Sequence, residues 1–212
     1  MASHRRRPRA PARRPGRRTP QRRIFIVCEG RRTEPDYLHG YRRHVRNPSV
    51  EIVMSNQQGE PRRLVQLAIQ ARRRARRKAR QEQDPFLAYD EVWCVFDRDD
   101  HAWYHEACDT AQSQGIRLAL SIPCFELWLL LHLDDPPRRA IHHTDMPWIL
   151  REYLPGYGKR VDFREFAPGV EDAIRRADAL NALARKEGDP HRNPNTTVQG
   201  LLRAMGGEHT PA

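Results

Sequence analysis

The sequence predicts an α/β fold: a mostly parallel sheet of four strands flanked by helices, followed by a helical C-terminal appendage. Three observations predict it. Short apolar runs rich in β-branched and aromatic residues recur at 24–28, 50–55, 90–97 and 117–121. A longer segment of helical character follows each run. The resulting order, β-α-β-α-β-α-β-α, favours parallel pairing with helices on both faces of the sheet.

The first strand, "IFIVC", ends abruptly at Glu29 and Gly30, and a helix is expected over 34–45, with Thr33 as its N-cap and Pro35 in its first turn. After the second strand comes a long helix from "GEPRRLVQLAIQARRRARRKARQEQ", in which Leu64, Ala68, Ala71, Ala75 and Ala79 recur at helical spacing. The third strand, "DEVWCVFD", runs into Asp97, Arg98, Asp99 and Asp100. A helix over 103–114 stops at Gly115, a residue suited to the left-handed C-cap. The fourth strand leads through Pro123 into "CFELWLLLH", a helix too apolar for the surface. Beyond Asp134 the pattern weakens to a loop, a short helix in "TDMPWILREYL", a turn at "PGYGK", an amphipathic helix over 170–186, and a last helix in "NPNTTVQGLLRAM" capped by Asn195 or Thr196. The expected organisation is an arm over 1–22, an α/β domain over 23–133 and a helical extension over 134–212 packed on it.

The chain has 212 residues and a formal net charge of +11, but that charge is unevenly placed. Of 38 lysines and arginines, ten are arginines within residues 1–23, where there is no acid; the other 28 nearly balance the 27 aspartates and glutamates. The Arg, Pro and Ala composition of residues 1–22 is that of a disordered arm, able to neutralise phosphates without reading sequence or simply to solubilise. Within the body, Arg72, Arg73, Arg74, Arg76, Arg77, Lys78 and Arg80 crowd one stretch of the long helix. This reads as a solvated face; if nucleic acid binds the folded body, Arg72, Arg73, Arg76, Arg77 and Arg80 are the first candidates for contact.

No apolar run approaches the roughly 20 residues of a membrane helix. Arg22 and Arg23 before "IFIVC" resemble the start of an export signal, but the apolar stretch ends before the roughly 7 to 15 residues such a signal needs. A cytoplasmic protein is expected. Cys28, Cys94, Cys108 and Cys124 form no Cys-x-x-Cys pair and read as reduced structural thiols. There is no Gly-x-x-x-x-Gly-Lys-Ser/Thr segment, so ATP hydrolysis by a P-loop is excluded for this chain.

The acids at the strand ends carry the chemistry. In an open parallel sheet, ligands bind beyond the carboxyl ends of the strands. Glu29 ends the first strand and Asp97 the third; Asp97 and Asp99 share a side by the two-residue period. Three carboxylates converging there suit a hard divalent cation, Mg²⁺ or Mn²⁺, and the alternative is helix capping or pairing with Arg31, Arg32 or Arg98. Glu126, alone among apolar neighbours, either satisfies backbone N–H groups or joins a second metal site. His101 and His105 have the spacing of a ligand pair but lack a third soft ligand for zinc.

Together, "IFIVCEGRRTEPDYLHGY", "YDEVWCVFDRDDH" and "IPCFELWLLLHL" resemble the RloB-like family, with "LPGYGK" and "NPNTTVQGLL" similar to its C-terminal pattern. The strand-Glu-Gly and Asp-x-Asp segments resemble the Toprim fold within that family. The resemblance spans roughly residues 23–205. It implies a Toprim-like domain acting on phosphodiesters with Mg²⁺ or Mn²⁺, with Glu29 as general acid/base or ligand and Asp97 and Asp99 as metal ligands. It also implies an anti-phage role of the AbiL abortive-infection type beside an AAA-type ATPase. One departure concerns the acid that OLD-type sites carry four residues after the first Glu. This chain has Thr33 there, and Glu34 either takes that place as a ligand or serves its helix dipole. Lys159 is a candidate for stabilising charge on a phosphoryl oxygen. The expected function is a metal-dependent DNA or RNA nuclease acting as a defence effector. The alternative is a catalytically silent nucleic-acid-binding or scaffold subunit of a defence complex.

Overall fold

A computed structural model describes residues 21–55, 60–98, 103–189 and 191–207. Its sheet has the order β2-β1-β3-β4-β5, from β1 (Ile24–Cys28), β2 (Val50–Met54), β3 (Glu91–Asp97), β4 (Arg117–Ile122) and β5 (Asn195–Thr196). The first four pair in parallel. β1 and β3 are apolar almost throughout because they lie at the centre with both faces covered.

The four-stranded expectation is corrected to five. Asn195 and Thr196, expected to cap the last helix, form a strand antiparallel to β4, with Ser121 opposite Thr196 and Ile122 opposite Asn195. Their polar side chains suit this edge: Thr196 Oγ1 lies 3.1 Å from Ser121 Oγ, and Thr197 Oγ1 accepts from the Leu120 N–H at 2.9 Å. The last helix starts only at Val198.

Helices cover both faces. α1 (Thr33–His44), α4 (Glu126–Leu130), α5 (Met146–Tyr153), α6 (Phe163–Phe166), α7 (Val170–Glu187) and α8 (Val198–Gly206) contribute to one apolar cluster with Ile24, Ile26, Cys28, Trp93 and Val95. α2 (Pro61–Gln81) and α3 (Tyr104–Ser113) pack on the alternate strand residues Phe25, Val27, Val92, Cys94 and Phe96. This two-residue alternation divides one short strand between two cores. On the first face, Tyr37 sits among Phe125, Trp128, Phe163 and Phe166 and donates its hydroxyl to His132 Nε2 at 2.9 Å. That bond is set by the other ring nitrogen, since His132 Nδ1–H donates to the Trp128 carbonyl at 2.9 Å. Burial, the larger cause, holds the imidazole down at about 4, so it is neutral in the fold.

The long helix is anchored by its amino half. Leu64, Val65, Ala68 and Ile69 are buried, whereas Ala71 and Ala75 are only half-buried. Bulkier side chains hold the first three turns to the sheet, while Ala79 is the buried residue of the arginine-rich turns. Cys28, Cys94, Cys108 and Cys124 are all free thiols. No helix among the described residues is long and apolar enough to cross a membrane.

The crossover from β1 goes to β2 on one side, and the next returns to β3 on the other. The sheet order therefore reverses between β1 and β3, the position at which open α/β sheets place ligands beyond the carboxyl ends of the strands.

Candidate active site

Glu29 and Asp97 lie at that reversal, at the ends of β1 and β3. Register pairs Cys28 with Val95, and the Glu29 N–H continues the ladder to the Val95 carbonyl at 3.0 Å. The Glu29 side chain turns along the sheet edge, where its Oε2 accepts from the Asp97 N–H at 3.4 Å. Asp97 itself is opposite Ser121 of β4, one strand further on. Asp99, Asp100 and His101 lie outside the described residues.

Glu34 enters from the first turn of α1. It is buried, and its Oε1 accepts from the Gly30 N–H at 3.2 Å. A Cβ at residue 30 would displace the Glu34 carboxylate from this position. "Glu-Gly" after β1 is thus a close approach that lets a second acid fold back toward the first. Burial is the largest cause raising the Glu34 carboxyl to about 7; its own and the Gly30 N–H groups pull it down, while Glu126 and Glu29 push it further up.

Glu126 comes from the start of α4, beyond β4. It is also buried, and its Oε1 accepts from the Tyr157 hydroxyl at 3.2 Å. Cys124 lies between the acids: burial first, then the charges of Glu126 and Asp97, push its thiol far up, so it stays protonated. Burial and Glu126 likewise raise Tyr157, which remains a phenol able to donate. The fields at Glu34 and Cys124 therefore join Glu29, Glu34, Asp97 and Glu126 into one acidic cluster drawn from the ends of β1, β3 and β4. At the opposite edge the sheet treats an acid differently. Glu91, at the start of β3, is held by Arg22, Arg117 and the Trp93 indole.

The remaining candidates divide. Lys159 is exposed, but its carbonyl accepts from Thr33 Oγ1 at 3.3 Å, which fixes its loop beside the first turn of α1. Its backbone is left-handed, at φ 66°, an unusual state for a residue with a Cβ. Arg98 does not turn back on the acids; its Nη1 donates to the His191 carbonyl at 2.6 Å. Arg31 and Arg32 are exposed. Arg73, Arg76, Arg77 and Arg80 are exposed, and Arg72 donates to the Gly115 carbonyl at 3.2 Å. Parallel pairing of β2 and β3 with β1 makes α2 run back from the carboxyl edge, so Arg72 lies about 16 Å along the helix from Pro61, and Arg80 about 28 Å. The structure thus separates the arginine stripe from the acids.

Sequence reasoning missed Tyr157, Cys124 and the packing role of Gly30. "EG" carries a weak signal for the last; nothing in the sequence signals that Tyr157 returns to Glu126 across 31 residues.

The donors are carboxylate oxygens with a protonated thiol among them, which fits a hard cation and disfavours zinc. Among the described residues, no group of three or more His, Cys, Asp or Glu is arranged to hold a metal ion. What they do show is a buried Glu34 whose proton affinity is raised by burial and then by Glu126 and Glu29. A family model described as RloB-like protein matches residues 24–205. No curated protein and no solved structure matches the chain.

Proposed function

The chain belongs to the RloB-like family, and from that premise we propose that it is a Mg²⁺- or Mn²⁺-dependent phosphodiesterase that cuts DNA or RNA as the effector of an anti-phage, abortive-infection system. In this reading the sheet is Toprim-like, the protein works in the cytoplasm, and an AAA-type ATPase partner supplies the nucleotide chemistry that this chain lacks. The observation that carries it is the convergence of Glu29, Glu34, Asp97 and Glu126 at the reversal of sheet order, with Glu34 raised to about 7 in part by its acidic neighbours.

Asp97 and Glu29, together with Asp99, would hold the cation, and Glu126 would complete its surroundings. A bound divalent ion supplies positive charge to phosphate oxygens and acidifies a coordinated water. Glu34 changes protonation near neutral pH, so its carboxyl is suited to take up or release the proton moved during hydrolysis. Tyr157 orients Glu126 through its hydroxyl, and Lys159, whose carbonyl is bonded by Thr33, would bring positive charge near the first turn of α1.

The test compares wild type with Asp97→Asn on supercoiled plasmid and total RNA in Mg²⁺, Mn²⁺ or EDTA, with calorimetric Mn²⁺ binding as a second readout. Expected are metal-dependent cutting by wild type alone and loss of Mn²⁺ affinity in the variant. Undiminished cutting and Mn²⁺ binding by a folded Asp97→Asn protein would refute the assignment.

A further inference from the structure

A groove of about 890 Å³ lies between α1 and the segment before α6, lined in part by His39, Arg43, His44, Arg160 and Arg164. Its lining reaches the first turn of α1 at Asp36, close in sequence to Thr33 and Glu34, and includes none of the four clustered acids. One wall is α1, whose first turn carries Thr33 and Glu34; the other continues directly from Lys159, the residue tied to Thr33. From Thr33 to Arg43 the helix rises about 15 Å, the axial length of about four phosphates in a stacked strand.

Asp36 and Asp162 in the lining offset part of the groove's positive charge. Arg164 is clamped by Asp162 through its Nε at 3.0 Å. Arg43 and Arg160 are exposed and have no ion-pair partner among the described residues. His39 is held below its ordinary range by burial and then by the guanidiniums of Arg42 and Arg43, against the opposing charge of Asp36.

An acidic centre repels a polyanion, so a substrate strand must be held by cations beside that centre. The α2 stripe is less well placed for this, since α2 packs on the opposite face of the sheet from α1 and α4, the helices that carry Glu34 and Glu126. We propose that the α1 groove is the track for the nucleic-acid strand leading into the acidic cluster, with Arg43 and Arg160 contacting consecutive backbone phosphates. This inference rests on the phosphodiesterase reading and names how that site receives its substrate.

The experiment measures fluorescence anisotropy of labelled dT20, rU20 and a 20-base-pair duplex with the full chain in EDTA, from 50 to 400 mM KCl. Arg43→Gln/Arg160→Gln is compared with Arg76→Gln/Arg77→Gln. Removing two phosphate contacts should reduce the slope of log K against log salt by about 1.4 for a single strand or about 1.8 for the duplex. For the single strand, this amounts to roughly tenfold weaker binding at 150 mM salt. The α2 variant should keep the wild-type slope. The dT20 and rU20 arms identify which phosphodiester the track holds. An unchanged slope in the groove variant, or loss confined to the α2 variant, overturns the inference even if the wild type cuts. A groove-dependent slope in a protein that never cuts in Mg²⁺ or Mn²⁺ leaves the track standing and defeats the phosphodiesterase reading alone.

Discussion

Replacing Glu34 with glutamine should make the protein more stable at neutral and alkaline pH while impairing its chemistry. The Glu34 carboxyl holds its proton to about 7 in the fold, against an ordinary value of 4.5. A raised carboxyl favours the folded state while both states are protonated, below about 4.5, and that advantage is lost as pH rises through about 7. At roughly 1.36 kcal/mol per unit, the penalty carried above pH 7 is about 3 kcal/mol. The glutamine side chain of a Glu34→Gln variant would keep the shape and an oxygen for the Gly30 N–H but has nothing to ionise. Urea unfolding in EDTA at pH 4.5, 6, 7 and 8.5 measures the effect as the difference between variant and wild type. That difference should grow from near zero at pH 4.5 to about 3 kcal/mol at pH 8.5, with an unchanged m-value. Because part of the shift comes from Glu126, the gain should shrink in a Glu126→Gln background. A difference that does not vary with pH, or a variant less stable at pH 8.5, would show that Glu34 is not a strained member of an acidic cluster.

Three further outcomes follow from the same geometry. His132, held to about 4 instead of 6.5, contributes stability that is complete above about 6.5 and declines by about 3 kcal/mol as pH falls to 4. His132→Phe should flatten that acid limb in urea titrations, at a cost of roughly 1–3 kcal/mol at pH 7 from the Tyr37 hydroxyl left without its acceptor. Tyr157→Phe removes the donor to Glu126 and should lower stability by roughly 1–2 kcal/mol and cleavage by about tenfold; equal cleavage would place Tyr157 outside the mechanism. Lys159→Gly should relieve about 1 kcal/mol of left-handed backbone strain, so a thermal melt should show no loss while cleavage falls, and Lys159→Met should lose cleavage without the relief.

The opposing slopes of Glu34 and His132 overlap between pH 4.5 and 6.5, where one group destabilises with rising pH and the other stabilises. A wild-type stability curve that is flat in this window therefore conceals two large terms. Only the difference from each variant separates them, which is why both tests compare paired proteins.

The central strands were legible because their side chains are apolar on both faces, and Glu29 and Asp97 were legible because an acid ending such a run interrupts it. β5 was not: two polar residues have no period, and their pairing depends on a β4 edge 75 residues away. α6 was missed for a similar reason, being a single turn after the "PGYGK" loop. At the site, the convergence of Glu34 on Glu29 follows from local chain geometry around Gly30 and could be anticipated from the spacing. Tyr157 could not, because its bond to Glu126 depends on where a loop after α5 returns to the sheet. The arginines of α2 were conspicuous as charge, yet their distance from the acids is set by the direction of the β2-to-β3 crossover, which composition does not encode.

This contrast bears on how the site is maintained. At the amino edge, Glu91 is compensated by Arg22 and Arg117, the arrangement expected when a buried carboxylate serves the fold. At the carboxyl edge, Arg98 stands next to Asp97 in the chain and donates its Nη1 to the His191 carbonyl, while burial and the charges of Glu126 and Glu29 raise the Glu34 carboxyl. If the acidic cluster is instead a binding site, its charge should be compensated by a ligand, and the largest stabilisation by Mg²⁺ should occur above pH 7, where Glu34 is ionised. At one hundred times its Kd, a cation bound only to the folded state adds about 2.7 kcal/mol, close to the penalty that Glu34 carries there. Mg²⁺ should therefore stabilise wild type more at pH 8.5 than at pH 5, and Glu34→Gln should lose much of that pH dependence. Equal stabilisation by Mg²⁺ at both pH values would separate the cation from the cluster.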